Sequence, residues 1–348
     1  MIDTLNQIVT KALELGAHDV HLKAAFPPIV RVADEIRRLE FPPSSPKDLE
    51  RLVVQVLDER RLQSFKARGQ IDCSFELVNG FRARANIFLQ RNSLALSLRL
   101  IPGKPPALGQ LGFSKEAIDL LKKATRGMVL ITGATNSGKS TTAASLIDTL
   151  AQENSLHIIT IEDPVEYLFG TYQHSIVSQR QVGEDATTFH RGLTAALRQD
   201  PDVLFIGELR DQETVETCLK AAETGHLVVG TLHTADATQS ILRLINIFPS
   251  HQRDTIRFML SSCLKVILSQ TLIPLASRKG RALAFEVLPM PPSVCNLIRQ
   301  KKIHEISSIL RVGRRSGCIP MYLSIQELVK SGQVKSSDVP PELKIEGR

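Results

Sequence analysis

The stretch that decides the fold is Met128-Val129-Leu130-Ile131-Thr132-Gly133-Ala134-Thr135-Asn136-Ser137-Gly138-Lys139-Ser140. Its first five residues form an apolar run typical of a buried strand, and a helical pattern begins at Lys139. The loop between them matches G-x-x-x-x-G-K-[ST], which is expected by chance in roughly one chain in a hundred of this length, with Gly near 7 %. Glycines let the backbone turn its N–H groups toward phosphate oxygens, and a helix N-terminus adds positive potential. The sequence therefore predicts a phosphate-binding loop between a strand and a helix.

A lysine and a serine close this loop, and each has a chemical role in nucleotide binding. The lysine of such a loop contacts the β- and γ-phosphates, and the following serine hydroxyl binds Mg²⁺. We therefore predict that the chain binds and hydrolyses ATP, with Lys139 as a catalytic residue and Ser140 as a metal ligand. The predicted nucleotide contacts in the loop are Gly133, Ala134, Thr135, Asn136, Ser137, Gly138, Lys139, Ser140 and Thr141.

Three further apolar runs come after the loop, at 157–161, 203–206 and 227–231. Near-continuous apolar character suits strands that are buried on both faces of a parallel sheet. Helical patterns between the runs, at 139–151, 187–198 and 212–224, supply the crossovers. The sequence thus predicts a doubly wound α/β domain whose ligand binds at the carboxyl ends of the strands. From about 235 onward we expect mostly helix, including 254–268, 294–300 and 322–329.

Acidic residues come after two of these predicted strands. The run Val203-Leu204-Phe205-Ile206-Gly207-Glu208 resembles a Walker B strand, although many such strands carry Asp where this chain has Gly207. We expect Glu208 to hold Mg²⁺ through water. The turn after 157–161 carries Glu162, Asp163 and Glu166, which compete for the role of orienting and deprotonating the attacking water.

Two histidines flank the run 227–231. His226 enters the predicted strand and His233 leaves it toward the carboxyl edge, and their spacing of seven places them on opposite faces. His233 is therefore the better candidate for sensing the γ-phosphate, and His226 is a second predicted nucleotide contact. The spacing of His and Glu here does not resemble a metal site.

The composition is that of a globular protein. The 348 residues suggest two domains, and a hydrophobic content of 43 % is too high for a disordered chain. The net charge of +7 permits a basic face that meets nucleotide, acidic lipid or nucleic acid, and charge alone does not choose between them. Five cysteines contain no Cys-x-x-Cys pair, which favours a reducing compartment over a zinc or redox motif. With no signal-peptide pattern and no long apolar run, we expect a cytosolic protein.

The first hundred residues have a different pattern, with short alternating segments at 19–23, 28–32, 71–77, 81–88 and 95–100. Helical patterns at 2–15 and 46–65 accompany them, which predicts a small α+β domain. The run Pro102-Gly103-Lys104-Pro105-Pro106 is the predicted linker, because proline fixes the backbone and removes a donor. We predict domains at 1–100 and 114–290, a linker at 101–113 and a helical region at 291–344. The last four residues, Ile345-Glu346-Gly347-Arg348, resemble the remnant of an added protease-cleavage site.

These elements, in this order, resemble the type II/IV secretion ATPase superfamily, and within it the PilT family of pilus retraction ATPases. The Walker A loop is 133–141, the Asp box Ile159-Thr160-Ile161-Glu162-Asp163-Pro164-Val165-Glu166-Tyr167 and the Walker B segment 197–211. The His box is Ala222-Glu223-Thr224-Gly225-His226 through His233-Thr234. Gly16-Ala17-His18-Asp19-Val20-His21-Leu22 and Phe81-Arg82-Ala83-Arg84-Ala85-Asn86 also match. The resemblance covers nearly the whole chain.

The resemblance implies an N-terminal PAS-like domain, a RecA-like ATPase domain and a homohexameric ring, with ATP bound between the two domains. It implies that Glu166 is the catalytic base, that Glu208 assists Mg²⁺, and that arginines of the N-terminal domain reach the phosphates. By position, Arg84 and Arg99 are the first candidates and Arg82 the next. The implied partners are the inner-membrane pilus platform protein, on which a cytoplasmic ring docks peripherally, and a second retraction ATPase.

Some residues depart from the family pattern. The motif Ala-Ile-Arg-Asn-Leu-Ile-Arg-Glu, linked to retraction, is here Ser293-Val294-Cys295-Asn296-Leu297-Ile298-Arg299-Gln300, and Thr194 stands where relatives usually carry Arg. The segment 318–328 fits the usual Gly-Met-Gln-Thr pattern poorly. An accessory or divergent retraction motor is therefore one interpretation.

Two other functions stay open at this point. An assembly or secretion ATPase of the same superfamily usually has a longer N-terminal region and a tetra-cysteine insert, which this chain lacks. A nucleic-acid translocase would need basic and stacking aromatic residues, whereas aromatics are only 5 % and Trp is absent, so no nucleic acid is expected as a partner.

Overall fold

The computed structural model describes residues 2–32, 35–77, 80–278, 280–312 and 317–343, which fold into two compact units. The first unit is Met1–Lys104 together with Glu166–Leu168, and the second is Pro105–Val165 together with Phe169–Arg348. The division between Lys104 and Pro105 falls within the predicted linker 101–113, and the finer domain limits stay predictions. The predicted cleavage remnant, 345–348, lies outside the described residues.

The first unit contains an antiparallel six-stranded sheet with the order β3-β2-β1-β6-β5-β4. Its strands are β1 (Asp19–Lys23), β2 (Ile29–Val32), β3 (Glu35–Arg38), β4 (Gln70–Glu76), β5 (Phe81–Gln90) and β6 (Ser93–Pro102). Its helices are α1 (Ile2–Glu14), α2 (Pro46–Val56) and α3 (Glu59–Arg68). The predicted helix 46–65 is two helices, because Asp58 caps the second one by accepting a hydrogen bond from the backbone N–H of Arg61.

The helices of this unit cover one face of its sheet. Leu5 and Ile8 of α1 and Leu49 and Leu52 of α2 are buried in one core with the inward residues of the strands. Strand β3 escaped prediction because its four residues are all exposed and carry no apolar alternation. The prediction of a small α+β domain is confirmed.

The second unit contains a seven-stranded sheet with the order β13-β12-β7-β11-β10-β8-β9. Its strands are β7 (Gly127–Thr132), β8 (His157–Glu162), β9 (Ile176–Gln181), β10 (Val203–Ile206), β11 (Leu227–Leu232), β12 (Leu264–Pro274) and β13 (Arg281–Pro289). All neighbouring strands are parallel except β12 and β13. Strand β11 lies between β7 and β10, an order that the sequence did not reveal.

Helices cover both faces of this sheet. Helices α4 (Lys115–Lys122) and α5 (Lys139–Glu153) pack on one face, in the core that contains Val129 and Ile131. The opposite face carries α6 (Phe189–Ala196), α7 (Gln212–Glu223), α8 (Ala237–Asn246), α9 (Arg253–Cys263), α10 (Pro292–Arg299) and α11 (Ile306–Val312). Helix α12 (Met321–Lys330) packs against the β12–β13 end. The predicted doubly wound RecA-like α/β fold is confirmed.

The prediction of mostly helical structure after 235 is wrong for 264–289. Helix α9 ends at Cys263, and the chain continues directly into β12, which pairs with β7 and β13. The apolar run at 264–274 is compatible with a buried helix or a buried strand. It forms a strand because it pairs with β7. Among the described residues, none of the helices is long and apolar enough to cross a membrane.

Candidate nucleotide-hydrolysis site

The predicted phosphate-binding loop connects β7 to α5 at the carboxyl edge of the parallel sheet. Gly138, which precedes the helix, has a φ of 87°, a conformation that glycine adopts without steric cost. A side chain at Gly133 would collide with the Gln270 carbonyl oxygen and the Ser137 hydroxyl. The backbone path of the loop therefore requires both glycines.

Lys139 lies folded over this loop. Its side chain is buried, and its Nζ donates to the carbonyl oxygens of Gly133, at 2.9 Å, and Ala134, at 2.8 Å. The ammonium group therefore lies against the loop, where a phosphate would accept the same hydrogen bonds.

Strand β12 supports the loop from the side. The Thr132 hydroxyl donates to Ser269 Oγ at 3.0 Å, and Gln270 Nε2 donates to the Ser137 carbonyl oxygen at 2.7 Å. Ser269 and Gln270 are completely or almost completely buried. Neither residue was predicted to support the site, because the helical pattern expected at 254–268 includes the first part of β12.

His233 lies between the loop and the acidic strand end. Its Nδ1 is 3.5 Å from Lys139 Nζ and 3.4 Å from the Thr135 hydroxyl, and its Nε2 is 3.4 Å from Glu208 Oε2. The cause is the strand order: β11 runs between β7 and β10, so the residue after β11 emerges between the residues that come after its two neighbours. The structure thus brings together Lys139, His233 and Glu208, as expected for residues at one carboxyl edge.

Glu208 is held as a carboxylate. Partial burial alone would raise its pKa, but the hydrogen bond from Arg210 and the electrostatic contributions of the neighbouring His233, Arg210 and Lys139 together lower it. The Arg210 guanidinium is 2.7 Å from Glu208 Oε2. A negative charge is therefore available next to the phosphate-binding loop.

Gly207, the departure from the usual Walker B pattern, has a steric explanation. Its N–H donates to the Ile161 carbonyl oxygen at 2.8 Å. A Cβ at this position would lie 3.3 Å from both that oxygen and Glu162 Cα. The close approach of the two strand ends therefore favours a residue without a side chain here.

The three acidic candidates of the Asp box occupy different surroundings. Glu162 is buried and accepts hydrogen bonds from the Thr160 hydroxyl at 2.6 Å and from Gln179 Nε2 at 3.2 Å, which gives it a structural role. Asp163 is exposed. Glu166 belongs to the first unit, where its Oε1 is 4.0 Å from Arg84 Nη1.

The three candidate arginines lie on the face of the first sheet that points away from its helical core. Arg84 and Arg99 are directly opposite each other on β5 and β6, and Arg82 is two residues before Arg84 on the same face. Arg82 donates to the Ser74 hydroxyl at 2.9 Å, and Arg99 donates to Asp19 Oδ1 at 2.9 Å. The structure therefore groups the three guanidinium-bearing residues on one surface.

His226 does not lie near the loop of its own chain. It precedes β11, at the amino edge of the sheet, where its Nδ1 is 3.0 Å from the Ala221 carbonyl oxygen. Six strand residues separate it from His233, which corresponds to about 23 Å. With Lys122 and Asp202 it lines a separate cavity of about 310 Å³. His226 thus lies at the edge of the sheet opposite to the loop of its own chain, and its role as a nucleotide contact stays a prediction.

The residues that depart from the family pattern lie outside this group. Cys295 is on α10, with its Sγ 3.6 Å from the Met290 carbonyl oxygen. On the same helix, Arg299 donates to the Ser261 hydroxyl at 2.7 Å and lies over the ring of exposed Phe258. Thr194 is on α6, and Gln300 ends α10.

The amino-acid sequence of the chain matches a known protein family. A sequence model of the family described as "Type II/IV secretion system protein" matches residues 1–319, which is most of the chain. This chain belongs to the type II/IV secretion ATPase family. Within that family it is of the PilT type.

Similar proteins match this chain over nearly its full length. The chain is 40 % identical to the uncharacterized protein YggR of Escherichia coli K12, over 95 % of this chain and 99 % of YggR. It is 36 % identical to the type IV pilus retraction ATPase PilT of Pseudomonas aeruginosa, over 98 % of each. A crystal structure of the pilus retraction motor PilT with bound ADP is 44 % identical and has a TM-score of 0.87, covering 98 % of this chain and 97 % of that one. The predicted ATPase activity and nucleotide binding are confirmed.

Proposed function

We propose that this chain is an ATP-driven motor that powers type IV pilus retraction as a homohexamer. The observation that carries the proposal is the position of His233, 3.5 Å from Lys139 Nζ and 3.4 Å from Glu208 Oε2. A phosphate-binding lysine, an imidazole and a carboxylate at one edge of the sheet can respond to the γ-phosphate as well as hold it. The similarity to PilT over the whole chain supports pilus retraction as the output.

Binding of the triphosphate begins with the loop. The loop N–H groups and the N-terminus of α5 provide the positive field, and Lys139 exchanges the carbonyl oxygens of Gly133 and Ala134 for β- and γ-phosphate oxygens. From its position beside Lys139, His233 would contact the γ-phosphate. Loss of that phosphate would change the contact of His233 with Glu208.

Ser140 and Glu208 would hold Mg²⁺. Both offer oxygen, the donor that this ion prefers, and the lowered pKa of Glu208 keeps it charged. Across the part of the chain that the structure describes, no three His, Cys, Asp or Glu residues are grouped closely enough to hold a metal. This suits an ion that takes most of its ligands from phosphate and water. When bound, Mg²⁺ neutralises charge on the transferring phosphoryl group.

Glu166 is the proposed general base for the attacking water. Arg84 lies beside it in the first unit, with Nη1 4.0 Å from Glu166 Oε1. Together with Arg99 and then Arg82, it is also the proposed source of positive charge at the phosphates. In a hexamer these residues and the loop can come from different subunits, so assembly would complete the site.

The proposed location is the inner face of the cytoplasmic membrane, with peripheral docking on the pilus platform protein. A second retraction ATPase is a further proposed partner, because Thr194, Cys295 and Gln300 change the family pattern away from the hydrolysis site. An accessory motor that works with such a partner would keep its ATPase residues and vary elsewhere, as this chain does.

The ATPase part of the proposal is tested with Glu208→Gln, which removes the charge and keeps the size. We expect kcat to fall about 100-fold, as for loss of one preorganised electrostatic group at a reacting centre. Glu342→Gln is the matched control, because Glu342 is an exposed carboxylate of the same unit. Unchanged turnover in Glu208→Gln would contradict the site assignment. Light scattering with bound nucleotide should give the mass of six chains, and a persistent monomer would contradict the inter-subunit site.

The biological output is tested in a deletion strain complemented with either variant. If the motor withdraws pilin, the strain should keep surface pili and lose twitching, and only the Glu342→Gln variant should restore movement. Loss of the pili themselves would instead indicate an assembly or secretion ATPase. Normal twitching in the deletion strain would contradict the proposed role in retraction.

A further inference from the structure

Glu286 is a buried carboxyl group that the hydrolysis site does not use. It lies in β13 with only 8 % of its surface exposed. Burial raises its pKa to about 7, and the negative charge of Asp236 acts in the same direction. Burying a carboxyl group costs free energy of folding unless the group is hydrogen-bonded. The hydrogen-bond partners of Glu286 therefore indicate its role.

The first partner is the start of α8. The backbone N–H of Ala237, the first residue of that helix, donates to Glu286 Oε1 at 3.2 Å. The first N–H groups of a helix have no partner within the helix; Glu286 accepts that of Ala237, while the N-cap Asp236 accepts that of Gln239.

Helix α8 in turn holds the residue next to His233. The hydroxyl groups of Thr234 and Ser240 are 2.6 Å apart, and the Ser240 hydroxyl donates to the Asp236 carbonyl oxygen at 2.7 Å. Ser240 is completely buried. A continuous set of hydrogen bonds therefore leads from Glu286 through the first turn of α8 to the backbone next to His233.

The second partner is the C-terminal segment. The backbone N–H of Met321, the first residue of α12, faces the Glu286 carboxyl group and acts to lower its pKa. On either side of Glu286, the N–H of Phe285 donates to the Ser324 hydroxyl at 3.2 Å, and Val287 and Ile319 exchange backbone hydrogen bonds of 2.8 and 2.9 Å. The N-termini of two helices thus approach one carboxyl group, on the face of β13 that carries Glu286.

We propose that Glu286 is a positioning residue for ATP hydrolysis, which holds the His233 loop in register through the first turn of α8 and ties it to α12. The inference rests on the proposed role of His233. It explains why an ionisable side chain is buried where an apolar one would pack: only an acceptor can serve two helix N-termini. Movement of α12 would reach His233 through the same carboxyl group.

The first test compares Glu286→Ala with Glu286→Gln, which keeps the accepting oxygen. We expect Glu286→Ala to lower kcat about tenfold with little change in KM, because misplacement of a reacting group costs rate. Glu286→Gln should restore most of kcat. Ser324→Ala is the control, because it removes a buried hydrogen bond of the same strand to α12 without touching α8. An equal loss of kcat in all three variants would overturn the proposal.

The second test places Glu286→Ala in a His233→Ala background. If Glu286 acts through His233, it should lower kcat no further there, whereas independent effects would multiply. Multiplied effects would overturn the inference and leave the role of His233 intact. Unchanged kcat in His233→Ala alone would instead reject the proposed function of His233.

The inference can still be tested if Glu286→Ala does not fold. Thr234→Val keeps the side-chain shape and breaks the same path at its other end, at the hydroxyl pair with Ser240. It should lower kcat with little change in KM, and it should likewise have no added effect without His233. Unchanged kcat in Thr234→Val would overturn the proposed path.

Discussion

Replacing Glu286 by glutamine should change how the stability of the second unit depends on pH. The ordinary pKa of a glutamate is 4.5, and burial raises that of Glu286 to about 7 in the folded chain. The folded state therefore binds this proton more tightly than the unfolded chain does. The stability that the proton contributes is fully present below pH 4.5 and is lost as the pH rises toward 7.

The magnitude is set by the two pKa values. Each pH unit between them costs about 1.4 kcal/mol, so the folded state loses about 3 kcal/mol by pH 7. Solvent screens this little, because the side chain is only 8 % exposed. The titratable groups that face Glu286 are Asp236 at the start of α8 and Cys318 before α12. Glutamine cannot ionise and should not show this loss.

The assay is urea unfolding of the native chain, Glu286→Gln and the exposed control Glu342→Gln from pH 4.5 to 8. Circular dichroism and tyrosine fluorescence report the transition, because the chain has three Tyr and no Trp. The difference in free energy of unfolding between the native chain and Glu286→Gln should move by about 3 kcal/mol in favour of glutamine and level off above pH 7. The control should behave like the native chain. A difference that stays constant with pH would refute a buried, titrating Glu286.

Three further outcomes are expected. Gln270→Leu should raise the KM for ATP about tenfold, because it leaves the buried Ser137 carbonyl oxygen without its donor, at a cost of about 1–3 kcal/mol. Steady-state kinetics measures the KM, and an unchanged value would contradict the supporting role of β12. Gly207→Ala should lower the stability by about 1–3 kcal/mol, since its Cβ would press on the end of β8; thermal unfolding measures it, and an unchanged Tm would show that the strand ends can separate. Iodoacetamide should modify the partly exposed Cys295 before Cys218, because complete burial raises the pKa of the Cys218 thiol. Peptide mass spectrometry gives the order of labelling, and early labelling of Cys218 would contradict the packing of α7.

Most of the hydrolysis site was predictable from the sequence because of one property of parallel sheets. Every strand of such a sheet ends at the same edge, so residues that come after apolar runs meet there whatever the order of the strands. Lys139, Glu208 and His233 each come after such a run, and they lie together in the structure. The phosphate-binding loop was equally clear, since its glycines and lysine obey local rules of backbone and charge.

The tertiary structure alone decided the residues whose role depends on neighbours distant in the chain. The place of β11 between β7 and β10 puts His233 between Lys139 and Glu208, and no local pattern encodes strand order. Strand β12 was missed because a continuous apolar run suits a buried helix or a buried strand equally.

Glu286 shows the same limit for a single residue. Its strand has no unusual sequence pattern. Its role depends on Ala237, which precedes it in sequence, and on Met321, which follows it, because the fold brings both residues to the carboxyl group. The sequence by itself determined which chemical groups face the nucleotide, because the covalent order fixes the residues at the end of each strand. Only the tertiary structure decided which groups hold them in place, because packing brings together helix ends that are far apart in sequence.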